Sequence, residues 1–200
     1  QSEVRVLYDD DGIYFAIRCF DNAPDSILRQ LGTRDEDLNA DRFNIKIDPY
    51  NNHLDAFVFG VYASGPQADS RFQDAAFNAV WKSESRIDEK GWTAEVYIPY
   101  SALRFPKADV QHWGIQFERL IRRSRETNQW ALEEQNATTG QLLWGTLSGI
   151  HGIDPPVRLS INPYLSASVS HFPHHDASVD DYSENFGGGL DLKSGLSESY

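Results

Sequence analysis

The chain has 200 residues, 40% hydrophobic and 12% aromatic, enough for one domain with a substantial core and too few for two of full size. Its 18 basic and 30 acidic residues give a formal net charge of -12, which repels a phosphate backbone and excludes nucleic acid as an expected partner. The single cysteine, Cys19, excludes an internal disulfide framework, and no apolar run approaches the roughly 18 residues of a membrane helix.

The segment Gln1-Ser-Glu-Val-Arg-Val-Leu-Tyr8 alternates like a strand from its start, so a segment upstream, with any leader it carried, is expected. Strand-like alternation covers Val4–Tyr8, Ile13–Phe20, Arg42–Asp48, Asp55–Tyr62, Ala79–Asp88, Trp92–Ile98 and Trp113–Arg122. Turns rich in Asp, Asn, Gly and Pro, such as Asp9-Asp-Asp-Gly12, separate these runs. Short strands at such intervals predict an all-β fold, an antiparallel β-sandwich of immunoglobulin-like or jelly-roll type. Pro24–Leu31 and Tyr100–Leu103 read as short connecting helices. Cys19, inside the apolar run Ile13–Phe20, is expected to be a small buried hydrophobe rather than a nucleophile. In Gly91–Pro106, Trp92, Ala94, Val96 and Ile98 share one face and Pro99 ends the strand, which makes this stretch scaffold. Trp92, Val96, Ile98, Ile115 and Phe117 are expected to share one core.

After Gly152-Ile-Asp-Pro-Pro156 the character changes. Leu159, Ile161, Leu165, Ala167 and Val169 alternate with Ser160, Ser166, Ser168 and Ser170, and a second weakly alternating segment, Phe186–Leu196, follows an acidic turn. A strand with one apolar and one small polar face, repeated after a polar loop, reads either as the start of a membrane barrel or as a surface hairpin.

Few constellations carry chemistry. The six histidines show no metalloprotease spacing, and nucleophile-elbow and phosphate-loop motifs are absent. With 30 acidic residues, carboxylate pairs arise by composition alone. Asp35-Glu-Asp-Leu-Asn-Ala-Asp41 places oxygen ligands at alternate positions, but Ala40 stands where an EF-hand turn needs glycine and Lys46 where it needs glutamate. Calcium held by Asp35, Asp37 and Asp41 is the one cofactor this loop suggests, and a solvated loop is the alternative. Trp81, Trp92 and Trp113 fall in strands and are expected in the core. Trp130 and Trp144 fall in irregular segments rich in Gln, Asn, Thr and Gly, where an indole either serves as a sugar platform or covers the end of the sandwich.

Taken in order, Val4–Asp21, Asp41-Arg-Phe-Asn-Ile-Lys-Ile-Asp48 and Gly91–Pro106 resemble the family 9 carbohydrate-binding module. Ala79-Val-Trp-Lys82, Arg86-Ile-Asp-Glu-Lys-Gly-Trp-Thr-Ala-Glu-Val96, Leu103-Arg-Phe-Pro106 and Trp113–Arg123 are similar to the version that precedes an outer-membrane β-barrel in bacterial envelope proteins. The resemblance implies a sandwich over residues 1–152, then a linker and the start of a barrel-like region over 153–200. Sugar-binding members clamp a glycan end between two tryptophans. Here Leu38 stands at the first position, the second, near Thr138, is also vacated, and Asn44 replaces a strand glutamate. Two functions are therefore expected to compete. One is a non-catalytic, glycan- or oligosaccharide-binding domain of the bacterial cell envelope, periplasmic or outer-membrane associated, with contacts from Arg42, Asn44, Trp130 and Trp144. The other is a domain that has lost sugar binding and docks on its own barrel or on a partner protein. Hydrolysis, which such modules often accompany, finds no acid/base pair in this chain.

Overall fold

Side chains on a strand point alternately to opposite faces, so a run that alternates apolar and polar can bury one face only against a second sheet. The computed structural model, which describes residues 1–72, 74, 76–131, 144–156, 159–171 and 182–194, shows that arrangement. The chain divides into two units, residues 1–156 and 157–200.

In the first unit one sheet has the order β1 (Ser2–Tyr8), β2 (Gly12–Phe20), β7 (Gly91–Pro99), β6 (Lys82–Asp88). The other runs β10 (Gly145–His151), β8 (Val110–Ile121), β3 (Arg42–Asp48), β4 (Phe57–Tyr62), β5 (Gln67–Arg71). A further short strand, β9 (Glu126–Gln129), shares the outer edge of β8 with β10: β10 pairs the Val110–Ile115 half and β9 the Glu118–Ile121 half. All pairings are antiparallel.

The inward residues make one core. Ile13, Phe15 and Ile17 of β2 and Trp92, Val96 and Ile98 of β7 meet Phe43 and Ile45 of β3, Phe59 of β4 and Ile115 of β8. Phe117 packs on this cluster half-buried, so the five residues expected to share a core do so. Trp81, Trp92 and Trp113 are buried. Cys19 is buried as well, and burial pushes its thiol up to about 11, which keeps it protonated and inert.

Two local departures have clear causes. The segment expected to be a helix from Pro24 makes only the 3₁₀ turn Pro24–Ser26, because Ile27 is extended and the Leu28 carbonyl and Arg29 pair instead with Asp41 and Ala40. Strands β5, β9 and β10 are absent from the expected set, since each lacks clean alternation and forms by pairing with an edge already in place.

The second unit is a hairpin of β11 (Leu159–His171) with β12 (Tyr182–Ser194). Its register sets Pro163 opposite Leu190 and Ala167 opposite Phe186, on the same side as Leu165 and Val169. Ser166, Ser168, Asn185 and Gly187 lie on the other side. Among the described residues no sheet closes into a barrel.

Trp92 tests the core. Its ring is 0% exposed, and Trp92→Ala is expected to lower stability by roughly 3–5 kcal/mol in chemical denaturation; a loss below about 1 kcal/mol would place the ring outside the packed interior.

Candidate functional site

On β8 the inward positions read Trp113, Ile115, Phe117, and then Arg119 and Ile121. The stripe turns from apolar to charged where β9 replaces β10 on the neighbouring edge. Cross-strand pairing carries the inward direction onto β9: Asn128 lies opposite Arg119, and Glu126 opposite Ile121. The next residue, Trp130, donates its amide to the Phe117 carbonyl at 2.9 Å. Its ring packs against Phe117, with centroids 5.9 Å apart.

These residues face β1 across the side of the sandwich and bound a cleft of about 580 Å³. Val4, Phe43, Phe117 and Ile121 form its apolar body, and Gln1, Ser2, Glu126 and Asn128 its polar rim. Trp130 is 61% exposed and lines it. Gly145 makes room for this indole, since a Cβ there would lie 2.1 Å from the ring. Further along, Tyr8 pins β1 to the loop in β10: its hydroxyl donates to the Gly149 carbonyl at 3.1 Å and accepts from the His151 amide at 3.2 Å.

Arg119 forms part of the floor and is 3% exposed. Its Nη1 donates to the carbonyls of Gln1 (3.1 Å) and Phe20 (2.8 Å), spanning from one sheet to the other. Its Nη2 stands 3.5 Å from the Asp21 carboxylate, and neither Nη2 nor Nε makes a hydrogen bond. Asp21 is already engaged by Arg123 through two hydrogen bonds of 2.8 and 2.9 Å and by the Ala23 amide at 2.8 Å. The Arg123 pair, with help from Ala23 and against burial, holds the Asp21 carboxyl below its usual range. Asp41 lies buried nearby. Burial pushes its carboxyl above the ordinary 3.8, despite the Arg122 amide bonded to Oδ1 at 3.0 Å and the pull of Arg119 and Arg123. Its Oδ2 makes no hydrogen bond.

The four residues expected to contact a glycan are not brought together. Trp130 lines the cleft. Arg42 and Asn44 lie on the opposite, outer face of the same sheet, because their neighbour Phe43 takes the inward position. Arg42 stacks over Tyr62 and donates to its hydroxyl at 3.1 Å. Asn44 donates to Glu118 at 2.7 Å. Burial pushes the Glu118 carboxyl up, but the Lys46 ammonium at 2.9 Å and the Asn44 amide outweigh it and hold it below its usual value. Trp144 is 9% exposed and packs edge-on against Phe72. Leu38, at the position of the resembled family's first tryptophan, is buried with Ala40 and Tyr62. Thr138, near its second, lies outside the described residues.

The three aspartates expected for calcium have separate surroundings. The Asp35 carboxylate accepts the Asp69 amide at 2.8 Å, Asp37 is exposed, and Asp41 is buried beside Arg122. Among the described residues no group of three or more His, Cys, Asp and Glu side chains converges on a point a metal could occupy.

Arg119, Glu126 and Asn128 were not expected as site residues. The signal for Arg119 was present in the parity of Trp113, Ile115 and Phe117, which makes an arginine an inward residue. β9 gave none, since its four exposed residues follow no pattern until β8 pairs with them. No model of a known protein family matches the chain, and no curated protein matches it.

Asp41 gives the site a pH signature. The folded state holds its proton to a higher pH than the unfolded chain, so this group makes stability fall as pH rises from 3.8 through the raised folded value. Asp41→Asn keeps an oxygen for the Arg122 amide and removes the titration. The variant is expected to melt higher than the parent at pH 7, with the gain shrinking as pH falls towards 3.8 and below; a gain constant with pH would show that Asp41 does not titrate in this window.

Proposed function

We propose that the first unit is a non-catalytic glycan-binding domain of a bacterial cell-envelope protein, with an oligosaccharide lying in the side cleft against Trp130. The observation that carries this reading is an exposed indole beside the apolar body formed by Val4, Phe43, Phe117 and Ile121, ringed by amides and one carboxylate. A pyranose presents C–H groups on its faces and hydroxyls at its edge. An indole with Gln1, Asn128 and Glu126 around it matches that division of chemistry. Among the described residues lining the cleft Glu126 is the only carboxylic acid, whereas hydrolysis of a glycosidic bond generally uses two flanking it. That supports binding without cleavage.

One platform supports weaker binding than a two-sided clamp. Calorimetry with cellobiose and xylobiose is expected to show modest affinity that falls about tenfold in Trp130→Ala, the loss of roughly a kilocalorie or more of stacking, while Asn44→Ala, on the other face, leaves it unchanged. Micromolar binding that survives Trp130→Ala would move the site elsewhere, and no binding across a panel of oligosaccharides would remove the glycan reading.

Residues 157–200 supply the envelope attachment in this reading. The hairpin's largely apolar face, on which Leu165 is 94% exposed and Glu184 stands opposite Val169 near the strand end, together with the small polar residues on the other face, supports strands that face lipid on one side and a lumen on the other. Tyr164 on the polar side lies over Gly189, where a Cβ would meet its ring at 2.5 Å, a pairing that holds the strands in register. Leu165→Lys is expected to reduce recovery with lipid vesicles in flotation, since a lysine facing mid-bilayer costs about 2–4 kcal/mol, and Ser166→Lys to leave it nearly unaltered. Equal recovery for the two variants would contradict a lipid-facing side.

A further inference from the structure

The sheet built on β2 and β7 has a second concavity, on the face turned away from the core: a groove of about 1030 Å³ that shares no lining residue with the side cleft. Strand parity and antiparallel register set its outward residues in two rows, each crossing all four strands. One row runs Leu7, Tyr14, Tyr97, Lys82, and the next Arg5, Ala16, Glu95, Glu84. At about 4.8 Å between strands, each row is about 14 Å long. The first row is a platform. Tyr14 and Tyr97 pack together with ring centroids 4.7 Å apart and planes tilted by 31°. Both rings are fixed in advance: the Tyr14 hydroxyl donates to the Asp9 carboxylate at 2.8 Å, and Tyr97 covers Gly12, where a Cβ would meet its ring at 2.6 Å. Leu7, 72% exposed, extends the apolar surface onto β1. The second row is polar at its ends and lowest at Ala16, between Arg5 and Glu95. Glu84 and Glu95 stand directly opposite each other, a like-charge pairing that disfavours itself. Among the described residues, neither they nor Arg5 and Lys82 form an ion pair.

We propose that this groove is a second glycan surface, which takes a neutral, flat-faced oligosaccharide such as a β-1,4-glucan across the four strands, with pyranose faces on Tyr14 and Tyr97 and hydroxyls on the charged row. Two cations and two carboxylates balance, so the groove gives no net attraction to an ion of either sign. What it offers is donors and acceptors side by side: guanidinium and ammonium groups donate, carboxylates accept, and a sugar hydroxyl does both. A peptide fits less well. Extended peptides bind along the edge of a sheet, where backbone groups are free, and a sheet face presents side chains alone. A row crossing four strands suits a longer chain than the disaccharides assigned to the side cleft, and the two surfaces stand or fall separately because they share no residue.

Calorimetry on the full chain with cellobiose and cellohexaose tests the assignment. Cellohexaose is expected to bind at least about tenfold more tightly than cellobiose. Ala16→Arg, at an exposed position where a long side chain fills the trough, is expected to remove most of that advantage while leaving cellobiose binding and the melting temperature close to the parent's. Tyr97→Ala is expected to remove it as well, with thermal melting as the check on folding. Loss of cellohexaose binding in Ala16→Arg, even where cellobiose does not bind the parent, would support the groove while removing the side-cleft reading. An advantage that Trp130→Ala abolishes and Ala16→Arg leaves intact would seat the longer chain in the side cleft and overturn the second surface. Equal affinity for the two sugars, or no binding of cellohexaose, would overturn it too. A parent that sediments as a dimer where Ala16→Arg sediments as a monomer would show that a second copy of the chain covers this face, which also overturns the proposal.

Discussion

The inner stripe of β8 is the constraint from which the rest of the first unit follows. Up to Phe117 it is apolar, and the two sheets close on it as any sandwich does, with aromatic side chains filling the space between them. At Arg119 the sheets are joined by a cation that reaches across to the carbonyls of Gln1 and Phe20. A buried guanidinium is tolerated only where acceptors surround it. That requirement draws the ends of β1 and β2, together with Asp21 and Arg123, to one corner of the fold. The side of the sandwich next to this corner therefore cannot close by apolar packing, and the cleft lies there.

Edge geometry then determines what the cleft contains. One strand twelve residues long, β8, is covered by two shorter partners in succession. Trp130, the residue after β9, keeps the inward parity and remains 61% exposed. Gly145, at the start of β10, is the matching concession, because any side chain there would displace the indole. The tryptophan's exposure thus follows from how two strands divide one edge.

Much of the fold was legible because period-two alternation is strong wherever one strand face is buried. Arg42–Asp48 has the same limits in sequence and structure, and six other strands differ only at their ends. The site was far less legible. Trp130 stood out as an indole beyond the core strands, but Arg42 and Asn44 were placed by a resemblance of sequence position. The alternation that put Phe43 in the core already turned both of them to the other face. Glu126 and Asn128 acquire an inward direction only by pairing with β8, a long-range fact that no local pattern contains. The Pro24 segment shows the same limit: propensity suggested a helix, and a backbone partner at Ala40 made it extended.

Two polar centres on one sheet illustrate how satisfaction separates structure from function. On the outer face, Glu118 takes Asn44 on one oxygen and Lys46 on the other, so charge and hydrogen bonds are balanced within the chain. On the inner face, Arg119 and Asp41 each retain atoms without a hydrogen bond. The first arrangement is complete within the chain, whereas the second keeps a guanidinium and a carboxyl buried and incompletely bonded, held in place by the packing around them.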